Sequence, residues 1–184
     1  RYVTIFNSTI VRNAANNGAG IYGEYGGNMT NSIVWGNGTN EMNNIIGTLS
    51  CSYSAIEGGY FGEHNILLSE PLNQEPMFVS PSLTSGVSES ASVADWHLLD
   101  GSPCINRGNN AAVADSLDLG GMSRIQRDTV DMGCYESEYY SIPVITPNYT
   151  NIIYVTQEGA GSLTGESWEN ATSSLSFALS VARA

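Results

Sequence analysis

The sequence predicts an all-β solenoid, and three observations lead to that class. Asn and Gly are abundant while only 13% of residues are charged, a composition that suits turn-rich β proteins. Short runs of β-branched and aromatic residues, such as VTIF, STIV and SIVW, alternate with Asn and Gly turns. The heptapeptide NSTIVRN at residues 7–13 returns as NSIVWGN at residues 31–37, 24 positions later. A fixed period in this range is typical of a repeat architecture.

The match extends over a whole period. A shift of 24 places Ile10 on Val34 and Ile21 on Ile45, and a further shift of 22 places Val34 on Ile56. Each period holds three short predicted strands, whereas a leucine-rich repeat needs regular leucines and a propeller blade needs about 40 residues. The sequence therefore predicts a right-handed parallel β-helix of about 22–24 residues per coil, with coils about 4.8 Å apart.

The polar frame of the two heptapeptides predicts a structural ladder. In stacked coils Asn7 lies over Asn31, and Asn13 lies over Asn37. Amide side chains stacked in this way hydrogen-bond along the ladder, and Asn also tolerates the left-handed backbone of tight turns. The alternative is a ligand-binding stripe of asparagines, which no other feature of the sequence requires.

Charge and composition exclude several functional classes. Eighteen acidic residues face six basic ones, all of them Arg, and a net charge of -12 repels phosphate backbones, so nucleic acid is not an expected partner. No apolar run approaches the roughly 20 residues of a membrane helix. The three cysteines lack the paired spacing of a zinc site. No cofactor is predicted, and Asp115 and Asp118 are weak calcium candidates that lack EF-hand spacing.

Beyond about residue 60 the period fades into longer loops. Arg124 in SRI and Asp131 and Glu136 in VDMGCYE bring one cation and two carboxylates near a predicted terminal edge. We expect a structural ion pair here, with Arg124 bidentate on Asp131. The sequence changes character at residues 152–184, which contain a predicted strand, IIYVT, then a Gly-rich loop and apolar residues at helical spacing.

The ordered motifs NSIVWGN, YSAIEGG, EPMFV, WHLLDGSPCINRGNN, DLGGMSRI and VDMGCYE span most of residues 1–137. Together they resemble the closing part of bacterial surface β-helix proteins of the choice-of-anchor Q type, which have a pectate-lyase-like fold and are common in Bacteroidota. The resemblance implies that residues 1–140 are the last coils and closing segment of one β-helix. It makes residues 141–151 a linker, and residues 152–184 the first strand and capping helix of a next unit.

The resemblance also implies covalent features. It brings the motifs of Cys104 and Cys134 together, which makes a disulfide the expectation and free thiols the alternative. The tripeptides DSL and DTV resemble the O-glycosylation acceptor of exported Bacteroidota proteins, so Ser116 and Thr129 are candidate acceptors. We interpret His64 as an incidental loop residue, and His97 likewise.

The expected function is a non-catalytic structural or adhesive segment of a large secreted or cell-surface modular protein. Its expected partners are adjacent repeats of the same protein or a head-to-tail copy of itself. Exposed aromatic side chains on a β-helix face would also bind glycans by stacking. The candidate glycan-facing residues are Tyr22, Tyr25, Trp35 and Tyr60.

The alternative is a carbohydrate-active enzyme of the same fold. A polysaccharide lyase needs a basic residue, commonly beside carboxylates that hold Ca²⁺, yet the chain has no Lys and Arg12 is the only Arg within its recognised coils. A glycoside hydrolase needs two carboxyls roughly 5 to 9 Å apart. A shift of 22 places Glu41 on Glu63, and we interpret them as a solvated surface pair.

Overall fold

The computed structural model describes residues 2–38, 44–68, 75–85, 93–138, 152–157, 160, 164–172, 175 and 178–179. Within them the chain is mostly strands with almost no helix, which confirms the all-β class. None of the helical residues described belongs to a helix long and apolar enough to span a membrane. The described strands are β1 (Val3–Phe6), β2 (Thr9–Val11), β3 (Ile21–Gly23), β4 (Gly27–Thr30), β5 (Ile33–Trp35), β6 (Ile45–Gly47), β7 (Ser50–Ser52), β8 (Ala55–Glu57), β9 (Ile66–Leu68), β10 (Phe78–Ser80) and β11 (Asp95–Leu98).

The first nine strands form three parallel sheets that the chain visits in turn. Their orders are β1-β4-β7, β2-β5-β8-β9 and β3-β6. Ile10 pairs with Val34, Ile21 with Ile45, and Val34 with Ile56. These are the registers that the shifts of 24 and 22 predict. The register is strongly specified, because a slip of one residue would move each apolar side chain to the opposite face.

The last parallel step is shorter than the predicted period. Ala55 in β8 pairs with Ile66 in β9, so the step is 66 minus 55, or 11 residues. β9 therefore joins the sheet without an intervening visit by described strands to the other two sheets. The sequence period of 22 to 24 does not predict this half-length step.

Strand β5 of the four-stranded sheet is covered on both faces. On β5, Val34 packs against Met29 and Cys51 from a neighbouring sheet. Its neighbour Ile33 points to the opposite face and packs against Cys104 and other residues that come much later in the chain. Successive strand side chains alternate between faces, so a continuous apolar run such as IVW is what a strand covered on both sides requires.

Residues 75–85 and 93–138, called the closing segment below, cover that second face. β10 and β11 pair antiparallel and bury Phe78 and Leu98 in the same cluster as Ile33. Gly133 N donates to Asn31 O at 2.8 Å, which ties the segment to the second repeat. The sequence places these motifs near a terminal edge of the stack, whereas the structure lays them along its side.

Between residues 152 and 172, the described residues share one parallel bridge, which joins Val155 to Thr172. The rings of Tyr154 and Trp168 meet edge to face at 4.9 Å. Trp168 begins a short 3-10 turn, Trp168–Asn170. The helical residues described after this turn are Leu175, Ala178 and Leu179. The predicted linker at 141–151 lies outside the described residues.

Candidate functional site

One asparagine pair of the predicted ladder is joined through its side chains. Asn13 donates from its backbone N and from Nδ2 to Asn37 Oδ1, at 3.0 and 2.9 Å. Asn37 Nδ2 donates to Asn44 Oδ1 at 3.0 Å, and Asn44 Nδ2 donates to Glu57 Oε2 at 2.9 Å. The line of polar side chains therefore crosses three repeats and ends on a carboxylate.

The other pair is arranged differently. Asn7 and Asn31 both adopt left-handed backbone, with φ of 42° and 54°, as the turn chemistry of Asn favours. The Asn31 side chain, however, bonds to the closing segment and not to the neighbouring repeat. It donates from Nδ2 to Asn109 O at 3.0 Å and accepts from Asn109 N at 2.7 Å. Asn7 Nδ2 is buried without a hydrogen-bond partner among the described residues. This pair therefore forms a turn and a clip to the closing segment.

A serine ladder runs beside these asparagines and is absent from the predicted sites. Ser8 N donates to Ser32 Oγ at 3.2 Å, and Ser32 N donates to Ser54 Oγ at 3.2 Å. Ser54 N donates to Asn65 Oδ1 at 3.1 Å, so an amide replaces the serine after the short step. The signal was visible in the sequence, since the three serines align under the shifts of 24 and 22.

Both histidines have defined contacts, unlike the incidental role expected of them. Tyr53 and His64 occupy the same left-handed turn position as Asn31, and their rings lie 4.6 Å apart. His97 Nδ1 lies 2.6 Å from Asp95 Oδ1, and the His97 ring stacks on Tyr135 at 3.9 Å. His64 lies 11 residues after Tyr53, so a sequence comparison at a period of 22 to 24 does not align the two residues.

The expected Arg124 to Asp131 pair is replaced by another arrangement. The Arg124 guanidinium donates to the carbonyl oxygens of Gly133 and, at 2.9 Å, Cys134. The carboxylate nearest to it is Glu136, with Nε to Oε1 at 3.7 Å. Asp131 instead accepts backbone amides, because its loop wraps around the carboxyl group. The Asp131 donors are Asn106 N at 2.6 Å and Ser137 N at 2.7 Å.

A third carboxylate, Asp118, joins this group, and its geometry bears on the calcium hypothesis. Asp118 Oδ1 accepts Met122 N at 2.7 Å, and Oδ2 accepts Glu136 N at 2.8 Å. Asp115 is exposed. Among the described residues, no three His, Cys, Asp or Glu side chains are grouped so as to hold a metal ion. Asp118 is therefore engaged by the loop that it folds, and the calcium hypothesis for Asp115 and Asp118 stays a prediction.

Asp118, Asp131, Glu136 and Arg124, called the carboxyl cluster below, lie almost wholly inside the closing segment. Burial raises the pKa of Asp131 to about 6, against the opposing effects of its two amide donors and of Arg124. Burial and the nearby Asp131 raise the pKa of Glu136 to about 8, although Arg124 opposes the shift. A buried carboxyl group resists ionisation unless a full complement of partners stabilises its charge.

The expected disulfide is not formed. Cys104 and Cys134 are free, as is Cys51. Met132 N donates to Cys104 O at 3.0 Å, so the backbone contact across these motifs falls at Met132, two residues before Cys134. Burial raises the pKa of the Cys104 thiol to about 12 and that of Cys51 to about 11. These thiols therefore act as small apolar side chains.

Two of the four candidate glycan-facing aromatic residues are on the surface. Tyr22 is 62% exposed and Tyr25 is 71% exposed. Trp35 instead packs edge to face on Phe78 at 6.0 Å, because the closing segment covers its strand. The Tyr60 hydroxyl donates a hydrogen bond to Gly47 O at 3.0 Å. Trp35 and Tyr60 are half-buried, so less of each ring is open to a sugar than in Tyr22 and Tyr25, and the glycan-facing interpretation stays a prediction for all four residues.

The candidate acceptors for O-glycosylation differ in exposure. Ser116 is exposed, and Thr129 is half-buried. Of the two carboxylates weighed for glycoside hydrolysis, Glu41 lies outside the described residues. Glu63 is exposed and lies 3.4 Å from His64 Nε2, so it has no buried, low-dielectric setting of the kind that tunes a catalytic acid.

Fold and side-chain ladders together define a repeat protein of parallel strands with a lateral closing segment. No family model, no curated protein and no solved structure matches the chain. The functional argument therefore depends on the residues and their geometry.

Proposed function

We propose that this chain is a non-catalytic structural segment of a right-handed parallel β-helix in a large secreted or cell-surface bacterial protein. The line of side chains from Asn13 through Asn37 and Asn44 to Glu57 supports the proposal most strongly. Two of its three links join successive repeats, Asn13 to Asn37 and Asn44 to Glu57, as a stacked solenoid requires, and the link from Asn37 to Asn44 lies within the second repeat. These side chains use their hydrogen bonds to stabilise the stack, so they are not free to bind a substrate.

The buried carboxyl groups of the closing segment favour the same function over catalysis. A glycosidase acid and its partner must both reach the sugar, but Asp131 and Glu136 are 1% and 5% exposed. A lyase base must reach its substrate too, yet Arg124 is 3% exposed and bonded to carbonyl oxygens. A reducing-sugar and unsaturated-product assay on acidic and neutral polysaccharides tests this directly: we expect no turnover, and turnover would overturn the structural function.

Glycan binding on the side of the stack is the adhesive part of the proposal. Tyr22 and Tyr25 are close in sequence and expose most of their rings, which stack on the apolar faces of sugars. A glycan array with the wild-type protein and with a double Tyr22→Ala, Tyr25→Ala variant tests this surface. Tyr2→Ala is the matched control, because Tyr2 is 65% exposed. Binding that survives the double variant, or that Tyr2→Ala removes equally, would contradict the assignment.

The proposed partners are neighbouring repeats of the same protein or a head-to-tail copy of this chain. Among the described residues, β1, β2 and β3 each pair on one side only. Val3 and Phe6 on β1 are 46% and 44% exposed, and an unpaired strand edge with apolar side chains favours strand addition. Light scattering at several concentrations separates the two partners: mass that grows with concentration indicates self-assembly, and a strict monomer excludes it.

A further inference from the structure

The carboxyl cluster is linked to the repeats by hydrogen bonds through the backbone of two residues, Gly133 and Cys134. Gly133 donates its N–H to Asn31 O at 2.8 Å, and Cys134 donates its N–H to Thr9 Oγ1 at 3.1 Å. The carbonyl oxygens of the same two residues both accept from the Arg124 guanidinium. Any change that moves Arg124 is therefore transmitted to the contacts that hold the closing segment on the first and second repeats.

The cluster holds more acidic groups than its cation can neutralise. Arg124 is the one cation facing Asp118, Asp131 and Glu136 in the described residues, and its Nε lies 3.7 Å from Glu136 without a hydrogen bond. The Cys104 and Cys134 thiols and the Tyr135 phenol, which also face the cluster, stay neutral at ordinary pH, since burial raises the pKa of all three. Three buried negative charges on one guanidinium would be strongly unfavourable.

The carboxyl groups are also interlocked through the backbone. Glu136 Oε1 accepts Asp131 N at 3.1 Å, and Asp118 Oδ2 accepts Glu136 N at 2.8 Å. A change of charge on Glu136 therefore acts on the loops that carry the other two groups. We propose that the carboxyl cluster is a proton-operated clasp: while it holds a proton the closing segment stays docked on the repeats, and loss of the proton loosens that segment.

The direction of the pH effect follows from the protonation of the docked state. Burial raises the pKa of Glu136 to about 8 and that of Asp131 to about 6, so the docked segment binds protons more tightly than the released one. Docking is fully stabilised on the acid side and weakens as pH rises toward about 8. One linked proton gives a slope that approaches about tenfold in the docking equilibrium per pH unit.

Residue-resolved hydrogen exchange on the whole chain tests the clasp. Protection factors, corrected for intrinsic exchange, are measured between pH 5.5 and 8.5 for Gly133 and Cys134. The reference amides are Ile33 and Ala55, which bond within the repeats. We expect protection of the two closing-segment amides to fall at least tenfold while the reference amides change less than threefold. A flat wild-type profile, or an equal fall at the reference amides, overturns the proposal.

Two variants identify the group that carries the proton. Glu136→Gln keeps an acceptor for Asp131 N but cannot ionise, so the fall in protection of the Gly133 amide should shrink to about fourfold or less, the part that Asp131, with its pKa of about 6, still contributes. Glu63→Gln is the matched control, since Glu63 is exposed, and it should keep the wild-type profile. A Glu136→Gln profile that still falls tenfold overturns the proposal. If Glu136→Gln does not fold, the wild-type profile decides the question.

Discussion

Asn37 is the residue at which the ladder is most sensitive to substitution. It is 2% exposed, and Asn37→Ala removes both the acceptor for Asn13 and the donor to Ile10 O and Asn44 Oδ1, at 2.8 and 3.0 Å. Water replaces the bonds to Asn13, which is exposed. The other two acceptors lose a donor in a covered position, and each loss costs about 1–2 kcal/mol. We expect a fall of about 2–4 kcal/mol in the free energy of unfolding.

Asn13→Ala is the control, because it changes the same residue type in the same ladder. It removes one side-chain donor at an exposed end, and the Asn13 backbone N still donates to Asn37. The expected loss is about 0.5 kcal/mol or less. Urea unfolding followed by far-UV circular dichroism measures both variants. Equal losses for Asn37→Ala and Asn13→Ala, or a loss below about 0.5 kcal/mol for Asn37→Ala, would refute the ladder reasoning.

Three further predictions concern the closing segment. Arg124→Met leaves buried carboxyl groups and two carbonyl oxygens without their cation, and we expect a loss of about 3–5 kcal/mol by urea unfolding; an unchanged midpoint would contradict the role given to Arg124. Gly133→Ala places a Cβ 2.9 Å from Ile33 Cδ1 at a φ of 102°, so thermal scans should show a loss of about 1–3 kcal/mol. Gly121→Ala is its control, with no atom within 4 Å of the new Cβ, and should cost less. The buried Cys104 thiol, whose pKa burial raises to about 12, should resist maleimide at pH 8 until urea unfolds the chain; a disulfide in the intact mass would contradict this.

The repeat register was predictable because it is written at fixed spacing. Ile10, Val34 and Ile56 occupy equivalent places in successive periods, and the pairs that they form follow from that spacing. The turn asparagines were predictable for the same reason, since Asn suits left-handed backbone. Local pattern is enough for this part of the fold, because these pairs join residues one period apart.

Contacts between the repeats and the closing segment could not be predicted in this way. Trp35 looked like a variable surface residue because the residue one period earlier is Val11. It is covered by Phe78, which lies 78 minus 35, or 43, positions later and outside any repeat. Arg124 likewise had two acidic residues to choose from in the sequence. The path of the loop, which directs amides to Asp131, decides between them.

A register-specific cross-link tests the stacked-repeat account most directly. Tyr22 and Ile46 are paired neighbours on β3 and β6, and adjacent strands bring such Cα atoms within the span of a disulfide. The double variant Tyr22→Cys, Ile46→Cys should therefore oxidise to an intramolecular disulfide, seen as a loss of about 2 Da in the intact mass after mild oxidation. The mismatched pair Glu24→Cys, Ile46→Cys should stay reduced. Failure of the matched pair to link, or equal linking by both pairs, would contradict the account.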